Sequence, residues 1–238
     1  MGNMLFNYAS TYCIAKKVYM KLIIPKKYKL LKYFNLTPRP VSEIPYLGIC
    51  STTKNQNLRR VRVKVAAKYA NISMPFDNDV ILYGYLQSWK YFNECKDDIR
   101  HQLSFKDKNI YVTADLRLKQ AMGQLNNQSM GTSTNHTIVG IHVRRGDFVK
   151  YSPTGSKSYF QKARDFYRKL YKNVIFVIIT DSSNESRSWC LENIVKGSQD
   201  TLLLDSSDVI IDLATMWACD HSIISVGTFS WWTAVDEP

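Results

Sequence analysis

The chain has 238 residues, of which 45% are hydrophobic, 22% charged and 13% aromatic. This composition excludes collagen-like, low-complexity and disordered chains, which are rich in Gly and Pro or poor in aromatic residues. No apolar run reaches the roughly 18 residues of a membrane span. The first residues lack the basic start of a secretion signal. We therefore expect no membrane anchor in this sequence.

The net charge of +12 lies in the N-terminal part of the chain. Residues 1–70 contain 14 Lys and Arg against one acid, Glu43, whereas the rest of the chain is close to neutral. Such a basic segment can contact phosphates, acidic glycans or anionic lipid. It can equally form a solvated charged face, and the sequence leaves both interpretations open.

Residues 1–121 predict an α/β domain. Residues 6–20 have the spacing of a helix, residues 60–66 alternate basic and apolar side chains, and residues 80–86 form a strand-like run. Residues 122–136 contain one Leu and many Asn, Gln, Ser and Thr, with no apolar period. This composition predicts a linker.

Residues 137–238 show the clearest pattern, because apolar runs of strand length alternate with helical periods. The predicted strands are 137–143, 174–179, 201–204 and 222–226, and the predicted helices are 159–170, 184–194 and 209–219. The second run is apolar on both faces, which suits the interior of a parallel sheet. Four strands with intervening helices indicate a doubly wound α/β domain.

Two arginines follow the first of these strands. The run Gly140-Ile-His-Val-Arg-Arg-Gly-Asp147 places Arg144 and Arg145 at the edge where parallel sheets bind ligands. Because two cations are costly to desolvate there, we expect a bound anion, and planar guanidinium groups suit a phosphate. An ion pair between Arg145 and Asp147 is the structural alternative.

Three further places lie at the same predicted edge. Asp181 follows the second strand, where it either accepts a hydrogen bond from a ribose or base or caps the next helix. Asp212 lies in the first turn of a helix, where the helix dipole alone could account for it. Thr228, Phe229 and Ser230 join a strand to a helix, and the amides and hydroxyls there predict a seat for a pyrophosphate.

The five cysteines are widely spaced and include no CxxC pair, so we expect no structural metal. Reduced thiols and one or two disulfides remain equally open. Five Asn-X-Ser/Thr sequons favour a secretory compartment. The candidate glycosylation sites are Asn35, Asn71, Asn127, Asn135 and Asn184.

Several blocks of the sequence, in the same order, resemble the galactoside α-1,2-fucosyltransferases, glycosyltransferase family 11. In the C-terminal half they are His142-Val-Arg-Arg-Gly-Asp147, Asp181 with Ser188-Trp-Cys-Leu-Glu-Asn-Ile194, and Asp212-Leu-Ala with Cys219-Asp-His and Gly227-Thr-Phe-Ser-Trp-Trp-Thr-Ala234. In the N-terminal half they are Gly84-Tyr-Leu-Gln-Ser-Trp-Lys-Tyr-Phe92 and the opening Gly2-Asn3-Met4-Leu5-Phe6, which is similar to the family's glycine loop. The similarity covers nearly the whole chain.

The resemblance implies a GT-B-like enzyme of two Rossmann-like doubly wound α/β domains. It implies transfer of L-fucose from GDP-fucose to the 2-hydroxyl of a galactose in a glycan, with inversion at the anomeric carbon and without a metal or other cofactor. We expect an acceptor-side domain at 1–121, the linker at 122–136 and a GDP-fucose-binding domain at 137–238. We also expect the chain to be truncated at both ends, because the family's first strand and last helix are missing or cut short.

The resemblance also assigns roles to residues. The expected donor-binding residues are Gly2, Asn3, His142, Arg144, Arg145, Asp181, Asp212, Thr228, Phe229 and Ser230. Among them, Arg144 is expected to stabilise the departing GDP, His142 and Asp212 to contact the guanine, and residues 228–230 to hold phosphate. Asp147 is the candidate catalytic base because of its proximity to the arginines.

The family's animal members are Golgi proteins, so we expect the Golgi lumen, with membrane association only through an anchor that this sequence lacks. We expect a glycan acceptor with terminal galactose and no nucleic-acid partner. Met4 stands where the family has Gln. A degenerate GDP-sugar-binding paralogue or truncated gene product without turnover is the alternative. A nucleic-acid or membrane-surface binder that uses residues 16–70 is less favoured.

A rival interpretation starts from Asp77-Asn78-Asp79. Carboxylates two residues apart suit a hard cation, and metal-dependent transferases hold their nucleotide sugar in this way. The triplet follows Pro75 and Phe76, however, which is good turn chemistry ahead of a strand. A plain turn is therefore the simpler interpretation.

Overall fold

A computed structural model describes residues 1–41, 58–64, 68–72, 79–128, 136–205 and 207–235. Within these ranges the chain folds as two compact units, Met1–Lys106 and Asp107–Glu237. In both units the paired strands run parallel, which confirms the predicted α/β class. No helix in the described ranges is both long enough and apolar enough to cross a membrane.

The N-terminal unit contains two small parallel sheets and two α-helices. Its elements are α1 (Gly2–Lys17), β1 (Ile23–Pro25), β2 (Arg39–Val41), β3 (Leu58–Val63), β4 (Asp79–Gly84) and α2 (Lys96–Gln102). Strand β1 pairs with β2, and β3 pairs with β4. The predicted helix at 6–20 is confirmed, although it begins earlier. On β3, Arg60 and Arg62 are exposed while Val63 is buried.

A disulfide between Cys13 and Cys95 ties α1 to the turn before α2. It answers part of the question that the sequence left open, because Cys190 and Cys219 are free thiols. Beside the disulfide, the buried Tyr8 hydroxyl donates to Gln102, the last residue of α2. The N-terminal unit is therefore held by a covalent link and a buried hydrogen bond as well as by its apolar core.

The C-terminal unit is a four-stranded parallel sheet with helices. Its elements are α3 (Asn109–Gln128), β5 (Thr137–Val143), α4 (Lys157–Leu170), β6 (Val174–Thr180), α5 (Asn184–Cys190), β7 (Thr201–Leu203), α6 (Val209–Trp217), β8 (His221–Ile224) and α7 (Thr228–Thr233). The strand order is β7–β6–β5–β8. The chain moves outward from β5 to β7 and then crosses to the other side of β5, which is the doubly wound pattern.

Burial explains why the two central strands, β5 and β6, could be predicted from the sequence. All seven residues of β6 are buried, and five of the seven residues of β5 are. A strand covered by helices on both faces must be apolar throughout, which gives the continuous run that predicts it. The switch in strand order lies between β5 and β8, and ligands of such sheets bind at the carboxyl ends of the strands beside this switch.

The predicted linker at 122–136 is wrong in its first half, because α3 continues to Gln128. Residues 129–135, including Asn135, lie outside the described residues. The helix exists because it buries one apolar stripe with helical spacing, formed by Ile110, Ala114, Leu118, Ala121 and Leu125. Tertiary packing therefore outweighs the Asn- and Gln-rich composition of its last turns. Helix α3 belongs to the C-terminal unit, and the described units divide at 106–107 rather than at the predicted linker.

The predicted helix at 184–194 is present, but it changes its geometry along the way. Ser183 caps α5, its hydroxyl accepting a hydrogen bond from the amide of Ser186. After Cys190 the chain continues as a π-helical turn, Leu191–Val195. The N-cap is therefore Ser183, rather than Asp181, which the sequence had offered as a cap for this helix.

Candidate active site

The candidate active site lies at the carboxyl ends of β5 and β8, on either side of the switch in strand order. The backbone amide of Arg144, directly after β5, donates to the Ser225 hydroxyl, directly after β8, over 2.7 Å. Gly227 has a φ of +97°, and a Cβ atom there would lie 3.9 Å from Cγ of Arg144. The two loops that the sequence predicted as ligand-binding are thus in contact.

Arg144 is held between two carboxylates. Its guanidinium forms an ion pair with Asp147 and lies 3.7 Å from Oδ2 of Asp181. The guanidinium also lies 5.6 Å from the centre of the Phe148 ring. The Arg144 side chain is 30% exposed. A cation oriented in this way but still open to solvent can neutralise an incoming anion without a large rearrangement.

Arg145 has a different environment from its neighbour. Its guanidinium lies over the indole of Trp189, 3.9 Å from the ring centre, and Nη1 donates to the Thr154 hydroxyl over 3.3 Å. The alternative ion pair between Arg145 and Asp147 is therefore wrong, because Asp147 pairs with Arg144 instead. Arginine stacks on aromatic faces without losing its charge, so Arg145 adds positive potential beside Arg144.

Asp181 organises the loop that carries the arginines. Its carboxylate accepts hydrogen bonds from the hydroxyls of Ser183 and Ser186, over 2.6 and 3.0 Å, and from the amide of Arg145 over 3.3 Å. Burial acts to raise the pKa of Asp181, but these hydrogen bonds outweigh it and hold the pKa below its ordinary value. The carboxylate is therefore charged, and its hydrogen bonds hold the loop in place.

Gly146 is required for the close approach of this loop to Asp181. Its φ is +41°, and a Cβ atom would lie 3.2 Å from both carboxylate oxygens of Asp181. The Gly146 amide donates to the Ser186 hydroxyl over 3.0 Å. A side chain at this position would combine a strained backbone with a tight contact to the Asp181 carboxylate. The Arg-Arg-Gly-Asp run thus needs its glycine so that the backbone can adopt this φ close to Asp181.

His142 is buried beneath the site. Its Nδ1 lies 2.5 Å from the hydroxyl of Ser230, and its ring lies 5.0 Å from the ring of Phe229. Burial, with a smaller contribution from Arg144, lowers the pKa of His142 to about 4. The imidazole is therefore neutral at physiological pH. Ser230 is also buried, and its hydroxyl is 3.3 Å from that of Ser225.

Asp212 lies in α6 and is engaged by a residue that the sequence analysis missed. Nη1 of Arg117, on α3, donates to Oδ1 of Asp212 over 3.0 Å. The Ser207 hydroxyl donates to the same oxygen over 2.7 Å. Burial raises the pKa of Asp212 despite these two donors. Arg117 is 95 residues from Asp212 in the chain, so only the apolar stripe of α3 could have indicated that this helix faces α6.

The remaining predicted residues are two donor-binding residues and the candidate glycosylation sites. Gly2 and Asn3 open α1 in the N-terminal unit, where the Gln87 amide donates to Oδ1 of Asn3 over 2.9 Å. Among the candidate glycosylation sites, Asn35, Asn71 and Asn184 are exposed. Asn127 lies in α3 and Asn135 is outside the described residues. These assignments stay predictions.

No cluster of three or more His, Cys, Asp or Glu side chains with the geometry of a metal site occurs in the described ranges. In the acidic triplet, Asp77 and Asn78 lie outside those ranges, while Asp79 begins β4. The described site instead contains two arginines, Arg144 and Arg145, beside the carboxylates of Asp147 and Asp181. Guanidinium groups, an ordered loop and a neighbouring turn rich in small residues suit anion binding.

Comparison with known proteins agrees with this geometry. The family model of glycosyl transferase family 11 matches residues 1–236. Galactoside alpha-(1,2)-fucosyltransferase 1 of Rattus norvegicus is 32% identical over 181 residues, which cover 71% of this chain and 44% of the rat protein. Galactoside alpha-(1,2)-fucosyltransferase 2 of Pongo pygmaeus is 28% identical over 247 residues, which cover 98% of this chain and 66% of the relative. The chain thus spans less than two thirds of the length of either relative.

The fold has relatives among solved structures as well. Two crystal structures of fucosyltransferase NodZ, one from Bradyrhizobium and one described as an α-1,6-fucosyltransferase soaked with GDP-fucose, have TM-scores of 0.54 and 0.52. Both are 14% identical and cover 98% of this chain and 88% of NodZ. At this identity the likeness concerns the fold. The family match extends over almost the whole sequence and confirms the resemblance seen in the motifs: the chain belongs to glycosyl transferase family 11.

Proposed function

We propose that this protein transfers L-fucose from GDP-fucose to the 2-hydroxyl of a terminal galactose in a glycan. The observation that carries the proposal is the pair Arg144 and Arg145 at the carboxyl end of β5, beside the switch in strand order. Supporting it are the names of the relatives, which act on galactosides, and the GDP-fucose used with NodZ. The finer arrangement we propose is GT-B-like, with two Rossmann-like domains.

The proposed donor site uses the charges on β5 for the leaving group. Cleavage of the bond between the anomeric carbon and the phosphate oxygen leaves both bonding electrons on GDP, whose negative charge grows in the transition state. Arg144, oriented by Asp147 and Asp181, is the group we assign to neutralise that charge. Arg145 adds to the positive potential from its stacked position on Trp189. This arrangement would replace a divalent metal, so we propose a metal-independent reaction.

The remaining donor contacts are proposed with the roles that the family resemblance implies. The exposed turn at Gly227 and the adjoining Thr228 would supply amides to the phosphates. His142 and Ser230 are both buried and contact each other, so they can shape the floor of the site. Asp212 already pairs with Arg117. A direct contact between Asp212 and guanine would have to share the carboxylate with that arginine.

The acceptor hydroxyl must lose a proton as the new glycosidic bond forms. We propose that Asp147 accepts this proton as the catalytic base. Its side chain is 67% exposed and lies beside Arg144. Attack from the face opposite the leaving phosphate inverts the anomeric carbon. We also propose that the acceptor carries a terminal galactose, since the relatives are named galactoside fucosyltransferases. The family resemblance further implies that the whole protein works in the Golgi lumen.

The experiment that tests this function is calorimetry with GDP and GDP-fucose in the presence of EDTA, followed by a transfer assay with a β-galactoside. Arg144→Ala is expected to weaken GDP binding about a hundredfold, because it removes a charged hydrogen-bond donor. Lys150→Ala, an exposed lysine of the same loop, is the matched control and should bind normally. Binding without transfer would favour the non-catalytic paralogue. A folded protein that does not bind GDP would contradict the proposal.

A further inference from the structure

A polar cavity lies along α4 in the C-terminal unit and shares no residue with the candidate active site. Its volume is about 540 Å³, within the roughly 300–1,000 Å³ that small-ligand pockets occupy. One wall is a stripe of α4 side chains at helical spacing, and the other is the segment 193–200, which leads into β7. The lining is therefore built from two elements that the sheet holds in place.

The lining is strongly basic. It contains Lys157, Arg164, Arg168 and Lys196 against a single carboxylate, Asp200, among the described residues. Arg168 donates two hydrogen bonds of 2.7 and 2.9 Å to that carboxylate, and it also pairs with Asp165, just outside the lining, over 2.9 Å. Lys196 lies 2.9 Å from Glu192 on its own helical turn. In the part of the chain that the structure describes, Lys157 and Arg164 form no ion pair.

Arg164 is the unusual member of this group. It is 2% exposed, yet the acceptors of its hydrogen bonds are neutral: the hydroxyls of Ser198 and Thr201, over 2.8 and 3.0 Å, and the side-chain oxygen of Gln161, over 2.7 Å. Its Nε is buried without a hydrogen-bond partner. Burial and the nearby Arg168 lower the pKa of Arg164, and Asp200 and Asp165 offset this only in part. A buried guanidinium whose hydrogen bonds all go to neutral groups is costly, which favours an anion in the adjoining cavity.

We propose that this cavity binds a tetrahedral oxyanion, phosphate or sulfate, either free or as a group on a sugar. The planar guanidinium groups match tetrahedral oxyanions, and the exposed ammonium groups of Lys157 and Lys196 add charge at the rim. The described lining contains amide and hydroxyl side chains but no aromatic ring, so a stacked nucleobase is disfavoured. Inorganic phosphate and a sulfated or phosphorylated sugar are the two sources of such a group. The site is independent of GDP-fucose binding.

The test is a titration of the full chain, followed by nuclear magnetic resonance, with inorganic phosphate, galactose 6-sulfate and unsubstituted galactose. The double variant Lys157→Gln/Lys196→Gln is expected to weaken binding of the anionic probes about tenfold. Lys162→Gln, an exposed lysine of α4 outside the lining, should bind as the wild type does. Because Arg164 is buried and its replacement endangers the fold, the rim lysines carry the test.

The outcomes distinguish a free anion from an anionic saccharide, and binding in this cavity from binding in the candidate active site. Binding of phosphate alone identifies a free-anion site, whereas tighter binding of galactose 6-sulfate identifies an anionic saccharide, and both support the proposal. The Arg144→Ala variant must retain this binding, since Arg144 belongs to the candidate active site. Binding that the lysine variants leave intact, binding that Arg144→Ala abolishes, or no preference over galactose would overturn it.

Discussion

The guanidinium of Arg117 lies 3.0 Å from the carboxylate of Asp212, and the two side chains are 15% and 14% exposed. Arg117 also donates to the Thr215 hydroxyl over 3.0 Å and to the backbone oxygen of Asp205 over 2.7 Å. This one side chain therefore fastens α3 to α6 and to the loop that follows β7. The aspartate expected to recognise guanine has, in addition, a structural partner within its own unit.

Replacing Arg117 by Met is expected to lower the free energy of unfolding by about 3 kcal/mol, because Asp212 would remain buried without its cation. Lys119→Met is the matched control on the same helix. Lys119 is 67% exposed and 3.7 Å from Asp115, and such surface pairs contribute less than about 1 kcal/mol. Urea unfolding measures both variants. Equal losses for the two would show that the buried pair contributes nothing particular.

Asp147→Asn separates two roles for this carboxylate, proton acceptor and partner of Arg144. If Asp147 takes the acceptor proton, kcat falls by roughly 10²–10⁴-fold. The KM for GDP-fucose then changes little, because Asp181 still lies 3.7 Å from Arg144. A rise in KM with unchanged kcat would instead assign Asp147 to the positioning of Arg144.

The sequence predicts the C-terminal sheet well because burial on both faces forces continuous apolar runs, as in β6. It also predicts which loops meet, because parallel strands end at the same edge. It fails at α3, whose last turns are rich in Asn and Gln and whose helical state depends on packing of Leu118 and Leu125. Contacts such as Arg117 with Asp212 depend on that packing and have no local signal.

Pairings among polar side chains at the site were equally hidden from the sequence. The run that contains Arg144, Arg145 and Asp147 allows either arginine to pair with the aspartate. The choice is made by Trp189, whose indole takes Arg145, and by Asp181, which lies near Arg144. Both of these residues come from later in the chain. Residue types at a strand end thus predict the kind of ligand, whereas the roles of individual residues require the fold.

The Cys13–Cys95 disulfide closes a loop of 82 residues within the N-terminal unit. Restricting the unfolded chain by a loop of that length stabilises the folded state by about 4 kcal/mol in the chain-entropy model. The double variant Cys13→Ser/Cys95→Ser should lose that stability, measured by thermal melting. Dithiothreitol should destabilise the wild type but not the double variant. A wild type that is indifferent to reduction would contradict this role for the disulfide.

His142 predicts a specific dependence of stability on pH. Its pKa in the folded protein is about 4, against about 6.5 in an unfolded chain. Between these values the unfolded state binds more protons than the folded state, so stability falls as the pH is lowered. The loss from pH 7 to pH 4 is expected to be roughly 3 kcal/mol. Stability above pH 7 should not depend on this group, which is neutral in both states there.

Unfolding in urea at a series of pH values between 7 and 4.5 measures this effect. His142→Gln should remove most of the decline, even if its stability at pH 7 is lower through the loss of the contact with Ser230. His101→Gln, an exposed position on α2, is the control and should keep the wild-type profile. If His142→Gln shows the same acid-induced decline as the wild type, protonation of other groups accounts for it. Protonation of the buried His142 imidazole would then not be the cause of the loss of stability at low pH.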